Sequence, residues 1–409
     1  MPSLRAHSAV SPAALLIRAG RVHVAFPGPV YSPGAVLIRD GRIVWAGPDD
    51  DRPPQTAPRS ITIAEIPDAV ILPGFIDAHV HLAFDAAGTP AESVSDATPA
   101  QVLERMRAGA RELLAAGVTT ARDLGSPACP GELTRSGGGA SLGMVLRAEL
   151  AAGASPGPRL LASGAPLTPP GGHLHFLGCA VGDAQAARRA VHAQAAAGAD
   201  WIKLVLSGGE TTPGSRLRDP GLSRAQLRAA VRAARHGGLP VAVHAHTVAA
   251  ARAAIRAGAD TIEHCTLLGA RAGYAASIPR RGSARRRLVV SPTANSRWLT
   301  APPGQRRGRS RRLAALLRAG AELIAGTDAG IPGVFPGAYA DGLIALVRHG
   351  VPPETVLRAA TTGAAQALRL FDRGALLPGY AADLIALAAD PLDDIGAVTQ
   401  VTGVWQGRH

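Results

Sequence analysis

Between residues 71 and 330 short apolar runs alternate with longer alanine- and leucine-rich stretches whose apolar positions keep helical spacing. The runs end near His81, Asp123, Ser163, Ser207, His246, Cys265, Thr293 and Asp328, and they read as buried parallel strands. Helices are predicted over 99–116, 184–197, 223–236 and 310–319. Eight such units in series predict an α/β fold, a (β/α)8 TIM barrel, whose chemistry sits at the C-terminal strand ends. A doubly wound open sheet is the alternative. It would not naturally gather groups from the first, fourth, fifth, sixth and eighth strands around one point.

The flanks have a different rhythm. Residues 13–70 hold β-rich pieces at 15–24, 36–38 and 43–45, separated by Asp40-Gly41 and by Pro/Gly turns, and the C-terminal end adds pieces at 384–387 and 398–405. Neither flank can bury a core alone. The expected division is a flexible N-terminus over 1–12, a composite β-sandwich from 13–70 plus 372–409, and the barrel over 71–371. No internal repeat stands out.

Candidate chemistry starts from one residue. Of 43 basic residues a single one, Lys203, is lysine. Arginine stays protonated at any accessible pH, whereas a lysine amine can lose its proton or take up CO2 as a carbamate. Lys203 lies inside the apolar run Trp201-Ile202-Lys203-Leu204-Val205-Leu206, where a charge is costly unless paired or modified. A structural ion pair and a metal-bridging carbamate both account for it.

Histidine placement supplies partners. Random placement of 13 histidines in 409 residues gives about 0.4 His-x-His pairs, yet there are three: His79/His81, His173/His175 and His244/His246. On a strand, residues two apart share a face, so a pair can present two imidazoles to one ion. The first and third pairs end strands; the second follows Pro169-Pro170-Gly171-Gly172 and belongs to a loop. His264 and Asp328 end two further runs. Together with Lys203 they form a set suited to two divalent cations.

At this point the chain resembles the metal-dependent amidohydrolase superfamily, on the branch similar to imidazolonepropionase and the binuclear Xaa-Pro or Xaa-Arg/Lys dipeptidases. The marks are Pro73-Gly74-Phe75-Ile76-Asp77-Ala78-His79-Val80-His81, Gly117-Val118-Thr119-Thr120-Ala121-Arg122-Asp123, Ile202-Lys203, Val243-His244-Ala245-His246, Ile262-Glu263-His264 and Gly326-Thr327-Asp328. The resemblance implies that His79, His81 and Asp328 bind one metal, that carbamylated Lys203 bridges, and that His244 and His264 hold the second. It implies two divalent ions, zinc by expectation, and hydrolysis of a C–N bond in a small amide or dipeptide-like substrate through a metal-bridging hydroxide. Asp328 would relay the proton to the leaving amine. His246 is a substrate contact or a ligand in place of His244. His173 is either a substrate contact or a solvated loop residue. Asp123 reads as a hydrogen-bond acceptor behind the ligands, and Arg122 as a structural ion pair rather than a substrate contact.

Charge changes the picture only locally. The net charge of +13 arises between Cys265 and Ala321, where thirteen arginines meet no acidic residue. This stretch reads as a polyanion-binding surface, a solvated basic face or a locally corrupted reading frame. The last two rank higher, because aromatic residues are too sparse among the clusters for base stacking and nucleic acid is not an expected partner. The helix after the sixth strand is expected within 269–287. Cys129, Cys179 and Cys265 are too widely spaced for a disulfide framework, and neither a leader nor a membrane span is visible, so a cytoplasmic protein is expected, with a homo-oligomer left open. Two other functions remain: a mononuclear cyclic amidase or deaminase using His79, His81, His244 and Asp328, and a non-catalytic barrel that binds a polyanion through its arginines.

Overall fold

A computed structural model describes residues 14–51, 61–129, 139–266 and 288–407. The expected flexible stretch 1–12 and the helix expected within 269–287 lie outside the described residues. So do Arg280, Arg281, Arg285, Arg286 and Arg287 of the basic stretch.

Eight parallel strands follow the apolar runs. Phe75–Val80, Val118–Asp123 and Arg159–Ala162 form one sheet. Ile202–Val205, Val241–Ala245, Thr261–His264, Val289–Ser291 and Glu322–Leu323 form another. Isolated parallel bridges link the two sheets at both edges, Ser163 to Trp201 on one side and Val80 to Ala329 on the other. The fold is TIM-barrel-like. Helices follow the expected spans at Pro99–Ala115, Ala184–Ala196 and Arg224–His236, two of them opened by capping boxes, Thr98 with Gln101 and Ser223 with Gln226. The last helix starts earlier than expected, at Pro303, because proline suits a first helical turn.

A short connection recurs before the strands. Ala197-Gly198-Ala199-Asp200 and Ala257-Gly258-Ala259-Asp260 each end a helix on a glycine with φ near the left-handed region, 87° and 85°. The aspartate then ties the next strand to its neighbour: Asp200 accepts from Ala162 N, and Asp260 from Val241 N, both at 2.9 Å. This repeated turn positions the strands in register.

The apolar run through residues 71–82 divides in two. Thr62–Pro73 belongs to a separate seven-stranded sheet, and Phe75–Val80 begins the barrel-like body. The outer sheet runs Val401–Trp405, Leu384–Leu387, Thr62–Pro73, Leu15–His23, Gly34–Arg39, Arg42–Pro48, with Val30–Tyr31 beside Leu15–His23. N- and C-terminal segments thus share one sheet, Leu384 pairing with Pro73. Alternation along its strands buries both faces: Ile17 packs with Val36 and Leu384, while Leu16 packs with Ala35 and Leu37. Among the described residues no helix is long and apolar enough to cross a membrane.

Candidate metal centre

Period-two alternation places the first ligand candidates. Asp77, His79 and His81 project to one side of Phe75–Val80 and its extension, and all three are buried. Lys203 is fully buried and lies level with Ala242, two residues before His244, whose register partner is Glu263. Strict alternation would then turn His264 away. Instead His264 adopts φ +71°, and Asp328 φ +64°, so both side chains enter the same space. Left-handed backbone at non-glycine residues costs on the order of 1–3 kcal/mol each, and such strain concentrates at functional sites. Hydrogen bonds hold it in place, Asp328 N to His79 O at 2.8 Å and Cys265 N to Ala245 O at 3.1 Å.

Two groups of donors result. His79, His81 and Asp328 bring one ligand atom each to within 4.8 Å of one another, and so do His244, His246 and His264. In the first group His79 Nε2 is 3.4 Å from His81 Nε2, from Lys203 Nζ and from Asp328 Oδ1. Ligands around a tetrahedral zinc-sized ion sit roughly 3.4 Å apart, so these residues fit a metal. Asp328 stands between the groups, its Oδ2 3.7 Å from His264 Nδ1.

The rings are oriented from behind. His79 Nδ1 donates to Glu263 Oε2 at 2.8 Å, and His81 Nδ1 to Gly125 O at 2.9 Å, which leaves both Nε2 lone pairs free to ligate. Thr293 Oγ1 donates to Pro292 O, so it accepts from His264 Nδ1 at 3.0 Å, freeing His264 Nε2. His244 Nε2 donates to Gly208 O at 3.0 Å. His246 Nδ1 is 2.9 Å from Thr266 Oγ1. Asp123 accepts from Leu82 N and Gly125 N, behind the ligands as expected.

Burial sets the protonation. It pushes His79, His244 and His264 well below the ordinary imidazole value, and His81, His173 and His246 to about 3, with neighbouring cations adding to the effect. The imidazoles are therefore neutral, as ligation requires. Burial also lowers the Lys203 amine to about 8 against the pull of Glu263 and Asp328, and raises the Asp328 carboxyl to about 6 against Lys203.

Above the two groups opens a cavity of about 500 Å³ lined by His81, His173, His244, His246, His264 and Asp328. His173 is no solvated loop residue: it is 5% exposed, bonded to Thr212 Oγ1 at 2.9 Å and 4.7 Å from the His244 ring centre. His175 instead turns outward and binds Gly172 O. Sequence reasoning missed Glu263, which orients His79 and accepts from Arg122 Nη2 at 3.1 Å and Thr261 Oγ1 at 2.6 Å. The visible signal was an acid beside a histidine in an apolar strand. It also missed Asp77, whose carboxylate accepts from Thr327 Oγ1 at 2.6 Å and Thr327 N at 3.1 Å and fixes the approach of Asp328. Arg122 is the expected structural ion pair, fully buried and stacked 4.3 Å over Trp201.

Buried neutral imidazoles, one amine and one carboxylate gathered by parallel strands define a class of site, one suited to divalent cations. The comparisons agree with this geometry. The chain belongs to the amidohydrolase family, whose model matches residues 70–408, and is a hydrolase acting on carbon–nitrogen bonds. Ochratoxinase of Aspergillus niger is 27% identical over 378 residues, covering 83% of this chain and 75% of that protein. Its crystal structure superposes with a TM-score of 0.78 at 26% identity, over 96% of this chain and 94% of that one. An Xaa-Pro dipeptidase with bound methionine shares the fold, with a TM-score of 0.79 at 23% identity over 96% and 100% of the two chains. Imidazolonepropionase of Deinococcus deserti is 32% identical over 190 residues, 44% of each protein.

Proposed function

We propose that the chain is a binuclear metal amidohydrolase acting on a small N-acyl amino acid or dipeptide-like amide. His79, His81 and Asp328 would hold one ion and His244 and His264 the other, with Lys203, carbamylated at Nζ, supplying an anion to both. The observation that carries this reading is the position of the sole lysine, fully buried with its Nζ 3.4 Å from His79 Nε2. An ammonium there would lie against neutral imidazoles with Glu263 and Asp328 as its counter-charges; a carbamate supplies an anion that two cations need. When bound, two zinc-like ions supply Lewis acidity that activates water and polarises a substrate carbonyl. Asp328 holds a carboxylate oxygen toward His264 and can carry a proton from the attacking water to the departing amine. His246 and His173 line the cavity where they contact substrate. Glu263 fixes the tautomer of His79.

Further readings accompany this one. The bridges at both sheet edges, with Ala78 N to Ala325 O at 2.9 Å and Leu167 N to Lys203 O at 2.9 Å, support a closed eight-stranded barrel. The outer sheet, apolar on both faces, supports a small β-sandwich domain drawn from the two ends of the chain, with its boundary to the barrel at Gly74. Cys129 and Cys179, outside any disulfide, support a cytoplasmic setting.

Hydrolysis of N-acyl amino acids and dipeptides by metal-loaded protein tests the function. Lys203→Arg keeps a charge but cannot form the carbamate, and is expected to lower kcat/KM by about 1000-fold or more. Hydrolysis retained in that variant rules out the bridging carbamate.

A further inference from the structure

The helix Pro303–Arg318 presents its arginines in two ways. Arg306, Arg307, Arg311 and Arg318 are exposed, a solvated basic face. Arg309 and Arg312, three residues apart and so on one side of the helix, turn to the cavity and line it with Trp298. Their guanidinium carbons lie 4.8 and 5.2 Å from the centre of the Trp298 ring.

Arg312 is the unusual one. It is 4% exposed, and its Nη1 donates to Thr266 O at 2.7 Å. Its Nε is buried and has no acceptor among the described residues, and the same holds for Nη1 of Arg309. No carboxylate pairs with either residue among the described residues. The two acids that line the cavity are engaged elsewhere: Glu210 lies 3.8 Å from Arg297 Nη2, and Asp328 faces His79, His81 and His264. A buried guanidinium with an unmet donor and no counter-charge costs several kcal/mol, where leucine or methionine would pack without that cost. The arrangement is stable with an anion in the cavity, and a planar fork that still has donors to offer matches a carboxylate.

We propose that Arg312, supported by Arg309 across the face of Trp298, binds the carboxylate of the substrate, so that this enzyme selects amides bearing a free carboxylate over neutral ones. The proposal rests on the cavity being the hydrolytic site. It assigns a use to the part of the basic stretch that is not a solvated face. The cavity volume suits a small molecule rather than a polymer.

The test is equilibrium binding of N-methanesulfonyl-L-leucine, whose sulfonamide cannot undergo amide hydrolysis, and of its uncharged analogue N-methanesulfonyl-L-leucinamide to the metal-loaded protein, by calorimetry. The wild type is expected to bind the acid roughly 10- to 100-fold more tightly than the amide. Arg312→Met should bring that ratio to within about threefold, chiefly by weakening the acid, and Arg312→Lys, which keeps the charge and loses the fork, should give an intermediate ratio. Equal binding of the two compounds by the wild type overturns the proposal, as does an unchanged ratio in Arg312→Met. If Arg312→Met does not fold, an unchanged ratio in Arg312→Lys overturns it equally. Inorganic phosphate that displaces the acid with matching affinity overturns the choice of carboxylate. Hydrolysis is read separately with an N-acyl amino acid and dipeptide panel. A preference for the acid without any hydrolysis keeps the clamp and removes the catalytic reading, and hydrolysis without the preference does the reverse.

Discussion

In the outer sheet Asp390 accepts from Arg21 Nη1 at 2.6 Å and from Leu392 N at 2.8 Å, with His23 Nε2 also at 2.8 Å, and Asp383 accepts from Arg373 Nη1 at 2.8 Å and Gly407 N at 3.0 Å. Around the cavity, buried imidazoles, Lys203 and Arg312 face few anions, and the lone pairs on His81 and His264 point to no protein donor. Both regions bury polar groups, yet the first closes its charges on itself while the second leaves them open. Closed pairs specify and stabilise a sheet built from the two ends of the chain. Open ones cost stability, and the proposed function gives them their partners from outside, metal ions and substrate.

Substitutions separate the two regions. The largest effect is expected for Asp328→Asn, which on the proposed reading removes both a ligand and the proton carrier: kcat/KM should fall about 1000-fold or more, while the melting temperature of metal-free protein holds or rises, because burial disfavours that carboxylate. Kinetics and thermal unfolding on one preparation check it. A large loss of stability would place Asp328 with the closed pairs instead. Glu263→Gln should do both kinds of damage, since it orients His79 and is the buried partner of Arg122. Metal affinity is expected to drop about 10- to 100-fold and stability by about 3–5 kcal/mol, read by metal titration and denaturant unfolding.

The pH dependence differs in sign between the cavity histidines and Asp383 of the outer sheet. His81, His173 and His246 have folded values near 3, below the unfolded value of 6.5, so their contribution is complete above pH 6.5 and is lost as pH falls toward 3. Asp383 is raised by burial to about 6, above its unfolded 3.8, despite Arg373. Its contribution is greatest below pH 4 and declines as pH rises to about 6. The stability penalty of Asp383→Asn should therefore shrink by up to about 3 kcal/mol between pH 4 and pH 6.5, measured as unfolding free energy against wild type. A penalty that grows with pH would contradict this. The smallest effect is expected for Asp390→Asn, about 1–2 kcal/mol of stability with kcat/KM unchanged, since Arg21 is partly solvated.

Strand ends were legible because parallel strands buried on both faces leave long apolar runs, and a His, Lys or Asp inside one stands out. Thus His79, His81, Lys203, His244, His264 and Asp328 stand out as candidates in the sequence itself. Glu263 was not, because alternation allows one of two adjacent residues to face inward and gives no notice of the left-handed turn at His264 that admits both. His173 stayed open between a substrate contact and loop surface, since its burial depends on Thr212 and His244, distant in sequence. The recurring Ala-Gly-Ala-Asp turn escaped notice because four residues within an alanine-rich chain carry little pattern. The split at Gly74 was hidden by an unbroken apolar run serving two sheets in succession. Arg312 was lost in a crowd of arginines, and only packing against Trp298 distinguishes it from its exposed neighbours.

The most direct measurement is the metal content of wild type and Lys203→Ala, purified without chelator and with bicarbonate present, by elemental analysis. Close to two zinc-like ions per wild-type chain, falling to one or fewer in the variant, is the expected result. A single ion in both would favour a mononuclear amidase or deaminase with Lys203 only structural, and no metal in the wild type would contradict the account.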